Sequence, residues 1–172
     1  RGFFDFEPGA VADDVLTVRI ATSLISREQA RANHAAEVKG KMFDSVSHDA
    51  KGIWHNLLSR VDVVDLGPGY TKEATDGILT GFYSSMYRAA KYPRKLFEID
   101  PETRKPIHWS PFTGQVEQGV LSADSGFWDA YRTTYSWLAL VAPERMAEMM
   151  QGWGNAYLEG GWVPQWAAPG GG

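Results

Sequence analysis

The sequence contains no cysteine, which excludes disulfide bonds and metal sites with thiolate ligands. Its apolar runs are only a few residues long, whereas a helix that crosses a bilayer needs about 20 apolar residues. Lysine and arginine number 17 against 21 aspartates and glutamates, and they form no basic patch. We therefore expect neither a membrane-spanning segment nor nucleic acid as a partner.

The remaining composition is that of a folded globular domain. Of 172 residues, 44% are hydrophobic, 13% are aromatic and 22% are charged, which does not indicate disorder. The length is that of one ordinary domain. Because the chain starts at Arg1 without an initiator methionine or a signal peptide, we interpret it as a piece of a longer protein, and the compartment stays open.

The first part of the chain carries one strand pattern and two helix patterns. Apolar and polar residues alternate over residues 15–21, which predicts a strand with one buried face. Ser26 and Gln29 have the spacing of a capping box and begin a helix. A second helix is predicted over residues 43–60 by a 3.6-residue apolar period, with a short strand at residues 61–64 after it.

The second part begins after the glycine-rich break at residues 67–69. Thr71 is a suitable N-cap for a helix that runs to about Ala90. Residues 92–124 are rich in turn residues and predict one or two hairpins. Two interpretations stay open: the segment hangs over a cavity, with Arg94, Lys95 and His108 as candidate rim residues, or it is a solvated loop with no ligand contact.

Two further helices are predicted near the end of the chain. The first covers residues 126–141, and the second starts at Pro143, where a missing N–H is harmless. The second helix ends at the pair Gly160 and Gly161, which tolerate a left-handed backbone. It also carries an apolar stripe at helical spacing that predicts core: Met146, Met149, Met150, Trp153 and Tyr157.

The residues best suited to a ligand site lie on and after these helices. In a helix, Asp129 and Arg132 stand at i, i+3 and Trp128 and Arg132 at i, i+4, so that the three share one shoulder. Together with Trp162 and Trp166 in the final loop, they offer flat rings and hydrogen-bonding groups suited to a sugar. The plainer alternatives are an intrahelical ion pair over a packed Trp128, and a hydrophobic plug made by the two loop tryptophans.

Several longer segments resemble one enzyme family. They are DSGFWDAYRTTY (residues 124–135), APERM (142–146), QGWGNAY (151–157), EGGWVPQWA (159–167), EQARAN (28–33) and FYSSMYR (82–88). In order and spacing they are similar to the glycoside hydrolase family 92 α-mannosidases. The run AAPG at residues 167–170 departs from the form that many members carry, and we interpret it as the mark of a subgroup.

The resemblance implies a fold that is mainly α with a small β part. Residues 1–25 would be the C-terminal edge of a β-sandwich, residues 26–66 a helical connector, and residues 67–172 the N-terminal part of an (α/α)6 barrel. The chain would thus cover the end of one domain and the first part of the catalytic barrel.

The resemblance also implies an inverting, calcium-dependent exo-α-mannosidase that releases terminal mannose from α-mannosides or N-glycans. Asp129 would bind substrate, as the family's Trp-Asp motif does at the non-reducing mannose; our full substrate-binding set is Trp128, Asp129, Arg132, Trp162 and Trp166. Glu159 is a tempting acid, but the family's general acid, general base and calcium ligands are expected beyond residue 172. The chain would then hold no catalytic residue and no metal ligand, and would be inactive alone. A secreted, periplasmic or cell-surface location is expected.

Two other functions remain open at this point. One is a non-catalytic carbohydrate-binding helical domain, and the other is a different (α/α)6 glycosidase, such as a trehalase or glucoamylase relative. The segments at residues 28–33 and 82–88 favour the mannosidase over both.

Overall fold

The computed structural model describes residue 9 and residues 16–170 of the chain. It is mainly helical with a small β part, as predicted. The helices are α1 (Arg27–Glu37), α2 (Phe43–Leu58), α3 (Lys72–Ala90), α4 (Phe127–Ala130), α5 (Thr134–Val141) and α6 (Pro143–Gly160). The strands are β1 (Arg94–Lys95), β2 (Phe97–Ile99), β3 (Pro106–Trp109), β4 (Val116–Gln118), β5 (Ser122–Ala123), β6 (Ser125–Gly126) and β7 (Trp166–Ala167).

The strands form three small antiparallel sheets between α3 and the end of the chain. β2, β3 and β4 make a three-stranded sheet, which confirms the hairpins predicted for the turn-rich segment. β1 pairs with β5, and β6 pairs with β7. The second pairing joins the start of α4 to the loop after α6, and it decides where the candidate ligand residues lie.

The predicted helix ends are confirmed by their caps. The Ser26 hydroxyl accepts a hydrogen bond from the Gln29 backbone N–H at 3.0 Å, and Thr71 caps α3 by accepting from Ala74 N–H at 3.2 Å. Gly161 ends α6 with φ of 79°, a left-handed conformation that glycine adopts without steric cost. These local signals fix the boundaries of three of the helices.

The two short strands predicted in the first part of the chain are wrong. Within the described residues, neither 16–21 nor 61–64 belongs to a strand. A strand needs a neighbour to satisfy its backbone groups, and the alternating apolar residues at 16–20 stay exposed instead. Val15, the first residue of the strand predicted over 15–21, lies outside the described residues.

The single helix predicted over residues 126–141 is also wrong, because a turn at residues 131–133 separates α4 from α5. Thr133 has a non-helical backbone, with φ of −128° and ψ of −96°. Its hydroxyl donates to the carbonyls of Asp129 at 3.0 Å and Ala130 at 3.4 Å. Such side-chain bonds compete with a continuing helix, and apolar periodicity does not reveal them.

The core lies where α5 and α6 pack together and against β5. Leu138, Ala142 and Met149 are buried there, and Ala123 joins them from the sheet side. The methionine and aromatic stripe predicted on α6 is therefore only partly core, since two of its members, Met150 and Tyr157, are exposed.

The segment EQARAN has a structural role in this fold. The Gln29 side chain donates to Asn33 Oδ1 at 3.0 Å and to the Ile99 carbonyl at 2.9 Å. Asn33 donates to the Glu98 carboxylate at 2.6 Å, and the same carboxylate accepts from the Ser23 hydroxyl at 2.9 Å. Helix α1 is therefore tied to strand β2 by a network of polar side chains.

Glu144, in the first turn of α6, links that helix to the end of α2. Its own backbone N–H and then the Arg60 guanidinium lower the pKa of the carboxyl group, and Arg60 Nη1 lies 2.5 Å from Glu144 Oε1. The ionised form is thus favoured in the folded protein. Arg60 also donates to the Val141 carbonyl at 3.0 Å, so one arginine holds the α5–α6 junction.

We expect Glu144→Gln to be less stable than the parent near neutral pH and equal to it in acid. A lowered pKa contributes stability that is present above the unfolded value of about 4.3 and is lost as the pH falls through the folded value. Urea unfolding of both proteins between about pH 3 and pH 7 measures the difference. A difference that stayed constant over this range would assign the effect to packing rather than to charge.

Candidate functional site

The candidate site forms where β6 and β7 pair. Ser125 lies opposite Ala167 and Gly126 opposite Trp166 in antiparallel register. The backbone N–H of Asp124 extends the pairing by donating to the Ala167 carbonyl at 2.6 Å. The start of α4 and the loop after α6, about 40 residues apart in the sequence, are therefore held side by side.

Two of the predicted tryptophans meet at this junction. The rings of Trp128 and Trp166 have centroids 6.4 Å apart and planes inclined at 55°. Trp128 is 71% exposed and Trp166 is 44% exposed, so both residues are accessible to solvent. A pair of tilted, accessible indoles offers an apolar surface to a flat ligand.

Gly126 makes the close approach of these groups possible. A Cβ atom at this position would lie 2.7 Å from Trp166 Cη2 and 3.0 Å from Asp129 Oδ2. Both distances are shorter than ordinary contacts, so only glycine fits without displacement. The Asp129 carboxylate and the edge of the Trp166 ring therefore flank the same backbone position.

The Asp129 carboxylate is exposed. Within residues 16–170 it forms no hydrogen bond and no ion pair, so its oxygens are free to accept hydrogen bonds from a ligand. The intrahelical ion pair with Arg132 that the spacing allowed is not formed.

Arg132 lies in the turn after α4 rather than on a shared helix shoulder. Its guanidinium stacks over the Tyr131 ring, with Cζ 4.4 Å from the ring centroid. The broken helix explains the difference, because the i, i+3 and i, i+4 neighbours predicted for Arg132 require continuous helical geometry. The structure thus brings together Trp128, Asp129 and Trp166, while Arg132 points to a different neighbour.

Trp162 lies just past the end of α6 and is 83% exposed. It follows the left-handed Gly161, and the chain then turns inward at the buried Pro164 before reaching β7. The plug predicted as the alternative for Trp162 and Trp166 is therefore not formed by Trp162. Its ring is available to a ligand but does not share the Gly126 position.

A small cleft borders the site at Gly126. Its volume is about 130 Å³, and its lining includes Arg88, Tyr92, Asp124 and Gly126. Asp124 has a left-handed backbone with φ of 65°, and its carboxylate is bonded to the Arg94 guanidinium. A non-glycine residue held in this conformation is a frequent feature of functional sites. Sequence patterns gave no sign of it.

Of the three predicted rim residues, only Arg94 lies near the site. Lys95 is bonded to Glu148 on α6, with Nζ 2.8 Å from Oε1. His108 is wrong as a rim residue, because its side chain is completely buried and contacts Glu159. Because its carboxylate is bonded to His108, Glu159 is not a free acid for a ligand.

The described residues fit no metal site. Within residues 16–170, no three histidine, aspartate or glutamate side chains converge as metal ligands do. The calcium implied by the family resemblance would need ligands from elsewhere, and we derive no step through it. None of the helices in the same part of the chain is both long and apolar enough to cross a membrane.

Comparison with known proteins agrees with the motifs. The profile of the glycosyl hydrolase family 92 catalytic domain matches residues 29–172. The solved structure of a family GH92 inverting mannosidase from Bacteroides thetaiotaomicron VPI-5482 is 37% identical, with a TM-score of 0.77 over 87% of this chain and 19% of that one. A second structure, the GH92 family glycosyl hydrolase CcMan5, is 22% identical, with a TM-score of 0.62 over 79% of this chain and 17% of that one, and it supports the fold alone. No protein of curated function was found to match.

The chain thus spans about a fifth of the length of the solved structures that it matches. The profile covers most of the sequence and includes all of the residues around Gly126. The chain belongs to glycosyl hydrolase family 92 and represents part of a glycoside hydrolase.

Proposed function

We propose that this chain supplies part of the mannose-binding pocket of an inverting exo-α-mannosidase that releases terminal mannose from α-mannosides or N-glycans. The observation that carries the proposal is the junction at Gly126, where the free Asp129 carboxylate adjoins the Trp128–Trp166 pair. The printed description of one relative as an inverting mannosidase supports the choice of sugar.

The junction has the chemistry that a pyranose ring requires. One face of a mannose ring presents C–H groups that pack on an indole, and its edge presents hydroxyls that donate to a carboxylate. Hydrogen bonds to a charged acceptor contribute about 1.5–3 kcal/mol each. We also propose that Arg132 and Trp162 contact a larger glycan that extends past Asp129.

We assign no residue of this chain as a proton donor or base. An inverting glycosidase needs two carboxyl groups about 6.5–9.5 Å apart, one protonating the leaving oxygen and one activating water. We propose that both groups, and the calcium ligands, come from beyond residue 172. Residues 1–25, 26–66 and 67–172 would then be the sandwich edge, the helical connector and the start of an (α/α)6 barrel, in a secreted, periplasmic or cell-surface enzyme.

A non-catalytic carbohydrate-binding role is the second candidate. It is favoured by one observation, which is that Glu159, the carboxylate that the sequence offers as an acid, is bonded to a buried histidine. The family membership sets aside the trehalase and glucoamylase alternatives.

The proposal is tested by hydrolysis of α-mannobiose with the full-length protein that carries this sequence, with and without a calcium chelator. For Asp129→Ala we expect a loss in kcat/KM of roughly 10- to 100-fold, which corresponds to the hydrogen bonds removed. Chelation should abolish mannose release by both proteins.

Asp76→Ala is the matched control, since Asp76 is an exposed aspartate on α3 away from the junction. Its kcat/KM should stay at the parent value. Sugar binding without any mannose release from the folded parent would support the non-catalytic candidate, and unaltered kcat/KM in Asp129→Ala would remove Asp129 from the pocket.

A further inference from the structure

We propose that the buried His108–Glu159 pair is a positioning device for the sugar pocket, holding Trp166 against Trp128 and Asp129 without touching the sugar. This inference rests on the proposed function for its effect on mannose, but its geometry can be tested independently. It concerns one pair of ionisable side chains, of which one belongs to strand β3 and the other to helix α6.

The pair is almost entirely removed from water. The His108 side chain is 0% exposed and that of Glu159 is 11% exposed. His108 Nε2 lies 3.0 Å from Glu159 Oε1 and 3.2 Å from Oε2, so both carboxylate oxygens face the ring. Nδ1 lies 3.0 Å from the Gly119 carbonyl oxygen. A carbonyl only accepts, so Nδ1 donates to it, and Nε2 faces the carboxylate oxygens of Glu159.

A second contact one helical turn earlier strengthens the attachment. Asn155 stands four residues before Glu159 on the same face of α6, and its amide donates to the Val120 carbonyl at 2.8 Å. A Cβ atom at Gly119 would lie 2.6 Å from Asn155 Nδ2, so the residue after β4 and the Asn155 side chain approach more closely than a larger residue would allow. The last turns of α6 are therefore fixed at two points, one on β3 and one on the segment between β4 and β5.

The fixed end of α6 leads directly to the pocket. Helix α6 ends at Gly160, beside the Phe112 ring, where a Cβ atom would lie 2.8 Å from Cδ1. Only five residues, 161–165, then separate the helix from Trp166 in β7. Because this connection is short, we expect a displacement of the end of α6 to displace Trp166 as well and to change its contact with Trp128.

The two side chains are positioning residues and not catalytic residues. Glu159 uses both of its oxygens on His108, and His108 uses both of its nitrogens on the protein. All four of these atoms are thus engaged with protein atoms. Their contribution to mannose binding would act through Trp166, and a misplacement of about 1 Å at a binding group can cost up to 100-fold in rate.

The test compares Glu159→Ala with Glu159→Gln in the full-length protein that carries this sequence. For Glu159→Ala we expect KM for α-mannobiose to rise about tenfold while kcat changes much less, because Trp166 serves binding. Glu159→Gln keeps an oxygen that can accept from Nε2, so KM should stay within about threefold of the parent.

Two variants of the same helix serve as controls. Glu148→Gln breaks the exposed pair with Lys95 and should leave KM unchanged. Met149→Ala removes a buried side chain and destabilises the fold without touching the end of α6, so it should lower the melting temperature with KM unchanged. If KM rose equally in Met149→Ala and Glu159→Ala, the effect of Glu159 on KM would be one of general stability. That result would overturn the proposal.

A reporter on Trp166 separates this inference from the proposed function. With fluorotryptophan labelling and fluorine NMR, the Trp166 resonance, assigned with Trp166→Phe, should move in Glu159→Ala and stay in place in Met149→Ala. If the parent neither binds nor cleaves mannosides but the resonance moves, the proposed function fails and the positioning role stands. If the parent cleaves mannosides while both the resonance and KM of Glu159→Ala match the parent, the positioning role fails alone.

Discussion

Replacing His108 by alanine is expected to lower the free energy of unfolding by about 3–5 kcal/mol. The substitution removes a completely buried ring and leaves the Glu159 carboxylate facing a space that once held its partner. An ionised carboxylate without a partner is costly in the interior, and the lost ring volume adds the penalty of a cavity. Urea unfolding followed by circular dichroism measures the loss.

The Lys95–Glu148 pair provides the comparison for that result. It also links the sheet region to α6, but Lys95 is more than half exposed. Replacing Lys95 by methionine should therefore cost no more than about 1 kcal/mol. Equal destabilisation of His108→Ala and Lys95→Met would mean that Glu159 reaches water in His108→Ala. The His108–Glu159 pair would then contribute no more to stability than an exposed ion pair.

Replacing Gly126 by alanine is expected to reduce kcat/KM for α-mannobiose by at least about 100-fold, because it displaces two binding groups at once. The added methyl group would lie 2.7 Å from the Trp166 ring and 3.0 Å from the Asp129 carboxylate. Since the Trp166 ring and the β6–β7 backbone cannot both stay in place, the indole pair opens. Steady-state kinetics on the full-length protein that carries this sequence measures the effect.

Gly154→Ala is the matched control, because a Cβ atom there meets nothing within 4 Å. It should leave kcat/KM unchanged and raise stability slightly, since alanine favours a helix over glycine by about 1 kcal/mol. A double variant of Gly126→Ala with Trp166→Phe should lose much less than the sum of the two single losses, because the clash with the indole is relieved and only the contact with Asp129 remains. Strictly additive losses would show that Gly126 acts in some other way.

The helices were predictable where their signals were local. Ser26 and Thr71 cap α1 and α3 as their positions in the sequence indicate, and Gly161 ends α6. Each of these interactions joins residues only a few positions apart, so a sequence pattern contains all of the information that decides it.

The failures occurred where a distant or side-chain contact decides the structure. Apolar alternation over residues 15–21 predicts a strand, but whether a strand forms depends on a partner that the pattern does not contain. The turn before α5 depends on where the Thr133 hydroxyl bonds. His108 shows nothing in the sequence that marks it as buried, because its partner Glu159 is 51 residues away.

The sequence indicates candidate site residues but not their arrangement. The motifs select Trp128, Asp129 and Trp166, and their role in ligand binding stays a prediction. Their juxtaposition requires the pairing of β6 with β7, which is a non-local backbone contact. The separation of Arg132 from Asp129 follows from the broken helix, which periodicity alone did not reveal.

The pairing of β6 with β7 also couples ligand binding to folding. The two halves of the proposed pocket lie before α5 and after α6, so the pocket would require that helical hairpin to be closed. A sugar bound there would stabilise the closed hairpin by mass action and not the open one. The amide protons of α5 and α6 would then exchange more slowly with mannose present than in buffer alone. Hydrogen exchange in these helices would therefore detect the bound sugar.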